Sequence, residues 1–326
     1  MIKKIINWIV FLAIIISAYF YWYAHTPLAL RQVPLEFSLK PGSNLTALSR
    51  DMVTAGVISD SLRFRILARI LGKSNKIKSG YYTLNKMVTP LQLLNKLTAG
   101  EVSLREIIFI EGWTFAQMRA ALDAHPLVRH DAKNMSEEEV LQALAVPLQH
   151  AEGWFFPAKY YIDAGSSDIS ILRRAYDTMQ QHLESAWRER DKGLPYATPT
   201  DALIMASIIE KETGAAAERP LIAAVFINRL RTGMRLQTDP TVIYGLGAEY
   251  DGNIRKRDLL TDTPYNTYTR VGLPPTPIAM PGQAALLAAM HPASSDAVYF
   301  VAKGDGTHYF STNLDEHNRA VTRYQK

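Results

Sequence analysis

The segment Ile5–Ala24, IINWIVFLAIIISAYFYWYA, holds no charged residue in 20 positions, and no other stretch of the chain restricts its own fate so tightly. A helix of that length covers the roughly 30 Å hydrocarbon core of a bilayer. Trp8, Tyr19, Tyr21, Trp22 and Tyr23 lie toward its ends, where amphipathic rings settle at the membrane–water boundary. Lys3 and Lys4 precede it, so the positive-inside rule keeps residues 1–4 in the cytoplasm and exports the rest of the chain. A cleaved signal peptide is the alternative. The apolar core is long for one and no small-x-small cleavage site comes after it, so the expectation is an uncleaved single-pass anchor over residues 5–24. Residues 25–34, HTPLALRQVP, read as a short polar linker.

The remainder is long enough for two domains with their own cores, in a chain of 326 residues. A content of 48% hydrophobic and 21% charged residues is that of a folded protein. The formal charge is +5, but Lys and Arg are scattered, so no nucleic-acid footprint is indicated. The absence of cysteine excludes disulfides, thiolate metal sites and a cysteine nucleophile.

A first exported module is expected over 35–104. Leu35, Phe37 and Leu39 alternate as in a strand, Pro41-Gly42 makes a turn, and an amphipathic run comes next with Ser43 or Asn44 as N-cap and Gly56 as stop. A second helix is expected around Ser61 to Leu71. The scheme then repeats: a strand through Tyr81 to Leu84, a helix start at Thr89-Pro90, and a stop at Gly100. Short strands with helices between them resemble a LysM-like sugar-binding module, with generic small α+β packing as the alternative. The strand LREIIFIEGWT leads into residues 105–326, where helices are expected over Ser136–Leu144 and Ser170–Arg188. The fold class is α+β, with the larger domain mainly helical.

Within that domain LIMASIIEKETG, Leu203 to Gly214, reads as an apolar helix that runs into Glu210 and Glu212 just before a glycine. Thr200 is the expected N-cap, with Asp201 in the first turn. Met205, Ile208, Ile209 and Glu212 share a face by three- and four-residue spacing, so Glu212 continues an apolar stripe. Glu210 falls over Ala206 and Ser207. A carboxylate in apolar surroundings at the negative end of a helix has two reasons for a raised pKa, desolvation and the dipole. Such a group stays protonated near neutrality, as a general acid must. The bland reading is that both glutamates are solvated and pair with Lys211 or Arg219.

Downstream, AAAERPLIAAVFINRLRTG makes a helix with Pro220 in its first turn and Gly233 as its stop. In MRLQTDPTVIYGLG, Asp239 reads as an N-cap and Pro240 as the first helical residue. TDTPYNTYTRVGLPPTPIAMPG has five prolines and carries Tyr265, Asn266, Thr267 and Tyr268 in a row. Stiffened loops with flat rings and neutral donors and acceptors suit a carbohydrate groove.

Taken together, ASIIEKET, VFINRLRTGMRLQTDPTVIYG, YNTYTRVGLPPTPIAMPG and YFVAKGDGTHYFSTNLDEHN resemble the YceG-like family of endolytic murein transglycosylases, over nearly the whole chain. The resemblance implies an enzyme of the bacterial inner membrane whose periplasmic domain cuts nascent peptidoglycan strands internally. It implies cleavage of the MurNAc-β-1,4-GlcNAc bond with 1,6-anhydro-MurNAc ends, and a lysozyme-like catalytic helix ending in Glu-Ser or a similar pair. Glu212-Thr213 matches that pattern and Glu210 does not, so the resemblance makes Glu212 the acid and base. Gln237, Asp239, Tyr265, Asn266 and Tyr268 are the expected substrate-contacting or positioning residues. Glycan strands and the membrane are the expected partners, with the wall-synthesis machinery a further one. No cofactor or metal is expected.

Three other readings compete. His291, His308 and His317 raise a zinc hydrolase, but their spacing forms no HExxH-like motif. A muramidase would need a second carboxylate, with Glu210, Glu218 or Asp239 as candidates, although Glu218 near a helix start reads more simply as structural. A non-catalytic, anchored glycan-binding scaffold would leave Glu212 solvated and paired to Lys or Arg.

Overall fold

A computed structural model describes residues 2–39, 42–101, 105–163 and 165–325. Pro41 of the expected turn, and Leu104 at the expected end of the first module, lie outside these. The chain divides into two compact units, Met1–Glu106 with Tyr161–Ser166, and Ile107–Tyr160 with Ser167–Lys326. The whole is a helix-rich α+β fold.

The first unit opens with α1 (Ile2–His25), a helix long and apolar enough to cross a membrane, its outer part exposed along its length. Its end is different: Tyr23 and Ala24 are buried in the unit's core. The next stretch, read from the sequence as a short polar linker, packs in part on this unit. Leu28 is buried there too and its N–H donates to the Val88 carbonyl at 2.9 Å, because HTPLALRQVP carries leucines that gain from burial. Strand β1 (Leu35–Leu39) precedes α2 (Leu45–Thr54) and α3 (Ser61–Ile70), and β2 (Gly80–Leu84) precedes α4 (Pro90–Ala99). β1 and β2 pair antiparallel with Leu35 opposite Leu84 and Phe37 opposite Tyr82, whose rings stack 5.6 Å apart. Alternation puts these side chains on the inner face, against Met52, Phe64, Leu93 and Leu97. The caps are local chemistry: the Asn44 side chain accepts from Ala47 N–H, and Thr89 forms a capping box with Gln92.

The second unit begins within β3 (Arg105–Ile108), followed by α5 (Phe115–Ala124), β4 (Val128–Arg129), α6 (Glu137–Ala143), β5 (Lys159–Ile162) and β6 (Ser166–Ser167). β3 pairs with β5, and β4 with β6. Then come α7 (Asp168–Glu189), α8 (Pro199–Glu212), α9 (Arg219–Arg231), α10 (Asp239–Leu246), α11 (Lys256–Leu260) and α12 (Gln283–Met290). The hairpin of β7 (Tyr299–Ala302) and β8 (His308–Ser311) and the helix α13 (Leu314–Tyr324) close the unit.

Helix α8 is the centre of this unit. Every residue from Ala202 to Ile209 is buried, covered by α7, α9 and α12. Its cap is Thr198, two residues before the expected Thr200: the Thr198 hydroxyl accepts from Asp201 N–H and Asp201 accepts from Thr198 N–H. Thr198 wins because Pro199 then occupies the first helical position and Asp201 falls at the reciprocal place in the box.

One buried carboxylate went unnoticed in the sequence. Glu152, 7% exposed, accepts from Phe115 N–H at the start of α5 (3.1 Å) and from the Tyr244 hydroxyl (3.2 Å). Burial pushes it up from an ordinary 4.5 to about 7, despite those donors. A raised folded value means that stability is fullest below pH 4.5 and is lost as pH climbs to about 7, by about 3 kcal/mol in all. Relative to the native sequence, Glu152→Gln is therefore expected to gain stability between pH 5 and 8. Denaturant melts across that range check it, and parallel curves would show that Glu152 is solvated.

Candidate active site

The two glutamates at the end of α8 have opposite surroundings. Glu210 is an anchor: its side chain is 6% exposed, Oε1 pairs with Arg219 of α9 at 3.3 Å, and Oε2 accepts Gly282 N–H at 2.9 Å ahead of α12. A Cβ on Gly282 would sit 1.9 Å from the Glu111 carboxylate, so a larger residue at this junction would displace the Glu111 side chain. Burial raises the Glu210 pKa, while Gly282 N–H and Arg219 pull it back. Lys211 donates to the Gly112 carbonyl at 3.2 Å. The reading of both glutamates as solvated surface groups fails for Glu210.

Glu212 ends the helix at the edge of a cavity of about 570 Å³. No Lys or Arg pairs with it among the described residues; Thr238 donates its hydroxyl to Oε1. Its pKa is raised, first by desolvation and further by the neighbouring Asp239, while the Thr238 hydroxyl, His308 and Arg229 act the other way. Desolvation wins. The residue keeps some solvent contact through the cavity, so a proton held there remains within reach of a ligand.

The structure brings together Glu212, Gln237, Asp239 and Tyr268, all on the cavity wall. Asp239 is not the cap of α10, as its place before Pro240 suggested. Thr238 has the cap geometry, and the Asp239 carboxylate instead accepts the Tyr268 hydroxyl at 2.5 Å. Burial and that carboxylate raise the Tyr268 pKa, which keeps the phenol protonated. Tyr265 and Asn266 do not line the cavity. Tyr265 packs on the helical core, with its ring 4.9 Å from Tyr244 and its hydroxyl 2.8 Å from Thr276. Asn266 is 1% exposed; its amide donates to the carbonyls of Asp258, Leu259 and Thr261 and its oxygen accepts Tyr268 N–H. Both position the loop that presents Tyr268, because a buried amide takes its partners from nearby backbone.

Three residues of the site were missed or undervalued. Thr238 stands in a buried hydroxyl cluster, its N–H on Thr267 Oγ1 at 3.1 Å and Thr267 against Thr241 at 2.8 Å. Arg229, on α9, is 7% exposed and holds the carbonyls of Val298, Arg235 and Leu236 while lending positive charge to the cavity. His308 lines the cavity and is gripped by Glu218. The signal for Thr238 was present in the QTDPT run, where a threonine precedes Asp-Pro. No local pattern pointed to the others.

Of the three histidines weighed as zinc ligands, His308 and His317 both line the cavity and His291 does not. His291 meets Asp191 at 2.9 Å, His308 pairs with Glu218, and His317 stacks on Tyr299 at 5.0 Å with its pKa lowered by burial. Among the described residues, the group with ligand atoms within 4.8 Å of one another is Asp123, His130 and Asp168, apart from the cavity.

The sequence profile of the YceG-like family matches residues 37–323. The chain belongs to the YceG-like family. A Bacillus subtilis relative named endolytic murein transglycosylase is 32% identical, with 89% of this chain and 84% of that protein covered. A Streptococcus pneumoniae D39 protein of the same name is 28% identical over 98% of this chain, which spans 65% of that protein. The crystal structure of a YceG-like protein from Listeria monocytogenes superposes with a TM-score of 0.58 at 29% identity, covering 87% of this chain and 97% of that one.

Gln237 carries the strain of the site, with φ at +49°. A non-glycine residue held there costs on the order of 1 kcal/mol, and its N–H donates to the Thr267 carbonyl at 3.1 Å. Gln237→Gly is expected to leave stability unchanged or raise it by up to ~1 kcal/mol while weakening glycan turnover. Thermal melts and turnover measured together check it; a clear loss of stability would make Gln237 a structural residue.

Proposed function

We propose that this protein is a membrane-anchored endolytic murein transglycosylase with Glu212 as its general acid. The observation that carries the reading is a desolvated carboxylate, free of cationic partners among the described residues, at the rim of a cavity in a YceG-like fold. The relatives' names supply the substrate class: murein, cut within the strand.

The chemistry needs no water. Protonated Glu212 gives its proton to the oxygen that links MurNAc C1 to the GlcNAc leaving group, and the C1–O bond breaks. The substrate's own N-acetyl oxygen stabilises the cation. The C6 hydroxyl oxygen then bonds to C1 and releases its proton to a base, which leaves a 1,6-anhydro end. Ordinary glycosidases need a second carboxylate to handle water or to bind C1; this route does not. Gln237, Asp239 and Tyr268 are the side chains placed to contact sugar, and Tyr265 and Asn266 hold them in place. We read α1 as a single-pass anchor with a cytoplasmic N-terminus and the rest periplasmic. The β1-α2-α3-β2 order supports a LysM-like reading of the first unit, whose groove of about 460 Å³ offers Asn85, Gln92 and Asn95 as neutral partners for glycan.

The test is product analysis by mass spectrometry, with the full-length protein in detergent on uncrosslinked peptidoglycan. Internal fragments ending in anhydro-MurNAc are expected. Glu212→Gln is expected to lower the rate by about 10²-fold or more, the usual worth of a general acid, without loss of fold. Glu210→Gln should act through stability. Reducing ends would mean hydrolysis and turn attention to Asp239, which shares the cavity. No cleavage by a folded protein would favour a binding scaffold.

A further inference from the structure

The cavity that holds Glu212 also holds an imidazole built as a base. His308 lies at the start of β8, and Glu218, just ahead of α9, grips it at two points: Oε1 accepts His308 N–H at 2.9 Å and Oε2 meets Nδ1 at 2.7 Å. The two side chains are 13% and 15% exposed. The ring is held further by Phe300, edge-on at 5.4 Å. An ionised carboxylate can only accept, so Nδ1 carries a hydrogen. In the neutral ring Nε2 is then a lone-pair acceptor, and among the described residues the ring's hydrogen bond is the one Nδ1 makes to Glu218. His308 lines the cavity wall shared with Glu212. A carboxylate that fixes one nitrogen of a histidine while the other faces a reacting hydroxyl is a recurrent device for proton abstraction.

The lytic reaction has one hydroxyl that must lose a proton, the C6 hydroxyl of MurNAc. We infer that His308 is the base that takes it, that Glu218 is its positioning residue, and that Glu212 acts as the acid alone. The inference rests on the lytic reading of the site. The step balances: Glu212 O–H protonates the leaving oxygen as C1–O breaks, O6 bonds to C1, and the O6 proton passes to Nε2. The cavity then contains a carboxylate and an imidazolium, a favourable pair between groups that already interact electrostatically. Transfer of that proton from Nε2 to the Glu212 carboxylate restores both, and no water is consumed. Division of the two transfers means that ring closure need not wait for Glu212 to turn from the leaving oxygen to the C6 hydroxyl.

The experiment compares the full-length native protein, His308→Gln and Glu218→Gln in detergent on uncrosslinked strands, reading rate and the ratio of anhydro to reducing ends by mass spectrometry. Circular dichroism and melting temperature check the fold. His308→Gln is expected to cleave about 10²-fold more slowly and to give a mixture in which reducing ends appear, because water now competes for C1. Glu218→Gln should fall between the two, since an amide still accepts the Nδ1 hydrogen but does not stabilise the imidazolium. A merely structural role would slow cleavage without changing the product ratio, so anhydro ends alone from a folded His308→Gln overturn the inference at any rate. If His308→Gln does not fold, Glu218→Gln decides, and native-like rate and products from it overturn the inference. A native protein that makes no anhydro ends overturns the lytic reading and this inference with it, an outcome recognised from the native sample alone.

Discussion

Desolvation of one carboxylate organises the larger unit. Glu212 can be kept away from water only at the end of a helix that is itself out of water, and α8 is covered from Ala202 to Ile209. That demands neighbours on every side, which α7, α9 and α12 provide. It also demands a near end that does not fray, which the Thr198–Asp201 box and Pro199 provide. The far end exposes unsatisfied carbonyls and a negative dipole, so a carboxylate there is disfavoured twice. Thr238, His308 and Arg229 oppose the effect without cancelling it.

Glu210 shows what the alternative would have been. Its side chain is only 6% exposed, two residues away on the same helix, yet Arg219 and the Gly282 N–H hold it. Removing one partner from such a pair leaves an uncompensated charge, which is why it serves as a tie between α8, α9 and the start of α12. The tie is close enough to fix the direction in which Glu212 leaves the helix. One carboxylate is fixed so that the other is placed.

The sequence was legible wherever the chemistry is local. Asn44 caps its helix and Thr89 opens α4 as expected, because a cap and its partners lie within three residues. Two caps were set slightly late, Thr200 for Thr198 and Asp239 for Thr238, where adjacent residues of similar chemistry compete around a proline. Glu212 was singled out by an apolar stripe, but α8 is buried on all faces, so the stripe does not separate it from Glu210; their partners do. Those partners are distant in the chain. Thr238 lies 26 residues from Glu212, His308 lies 90 from Glu218, and Tyr244 lies 92 from Glu152. No period or turn signal encodes such meetings. Tyr265 and Asn266 were expected to contact or position substrate, because aromatic and amide side chains serve both binding and loop bracing; here their partners lie in the loop and the helical core, off the cavity wall.

The segment from Tyr299 to Gln325, which in the sequence carried scattered histidines and part of the family resemblance, forms a wall of the cavity. The β7–β8 hairpin pairs Tyr299 with Ser311 and Ala302 with His308, and Tyr299, Phe300 and His308 face the space that Glu212 borders. Arg229 joins this wall to the helical core, with Nε on the Val298 carbonyl at 2.6 Å and the guanidinium 5.2 Å from the Tyr299 ring. A rigid helix end therefore presents Glu212 to the cavity, while a hairpin fastened to α9 presents His308. Both are tied to the same helix, Glu210 through Arg219 and His308 through Glu218 just before it. The Glu218-Arg219 step at the entry to α9 thus bonds to His308 of β8 through one residue and to Glu210 of α8 through the next.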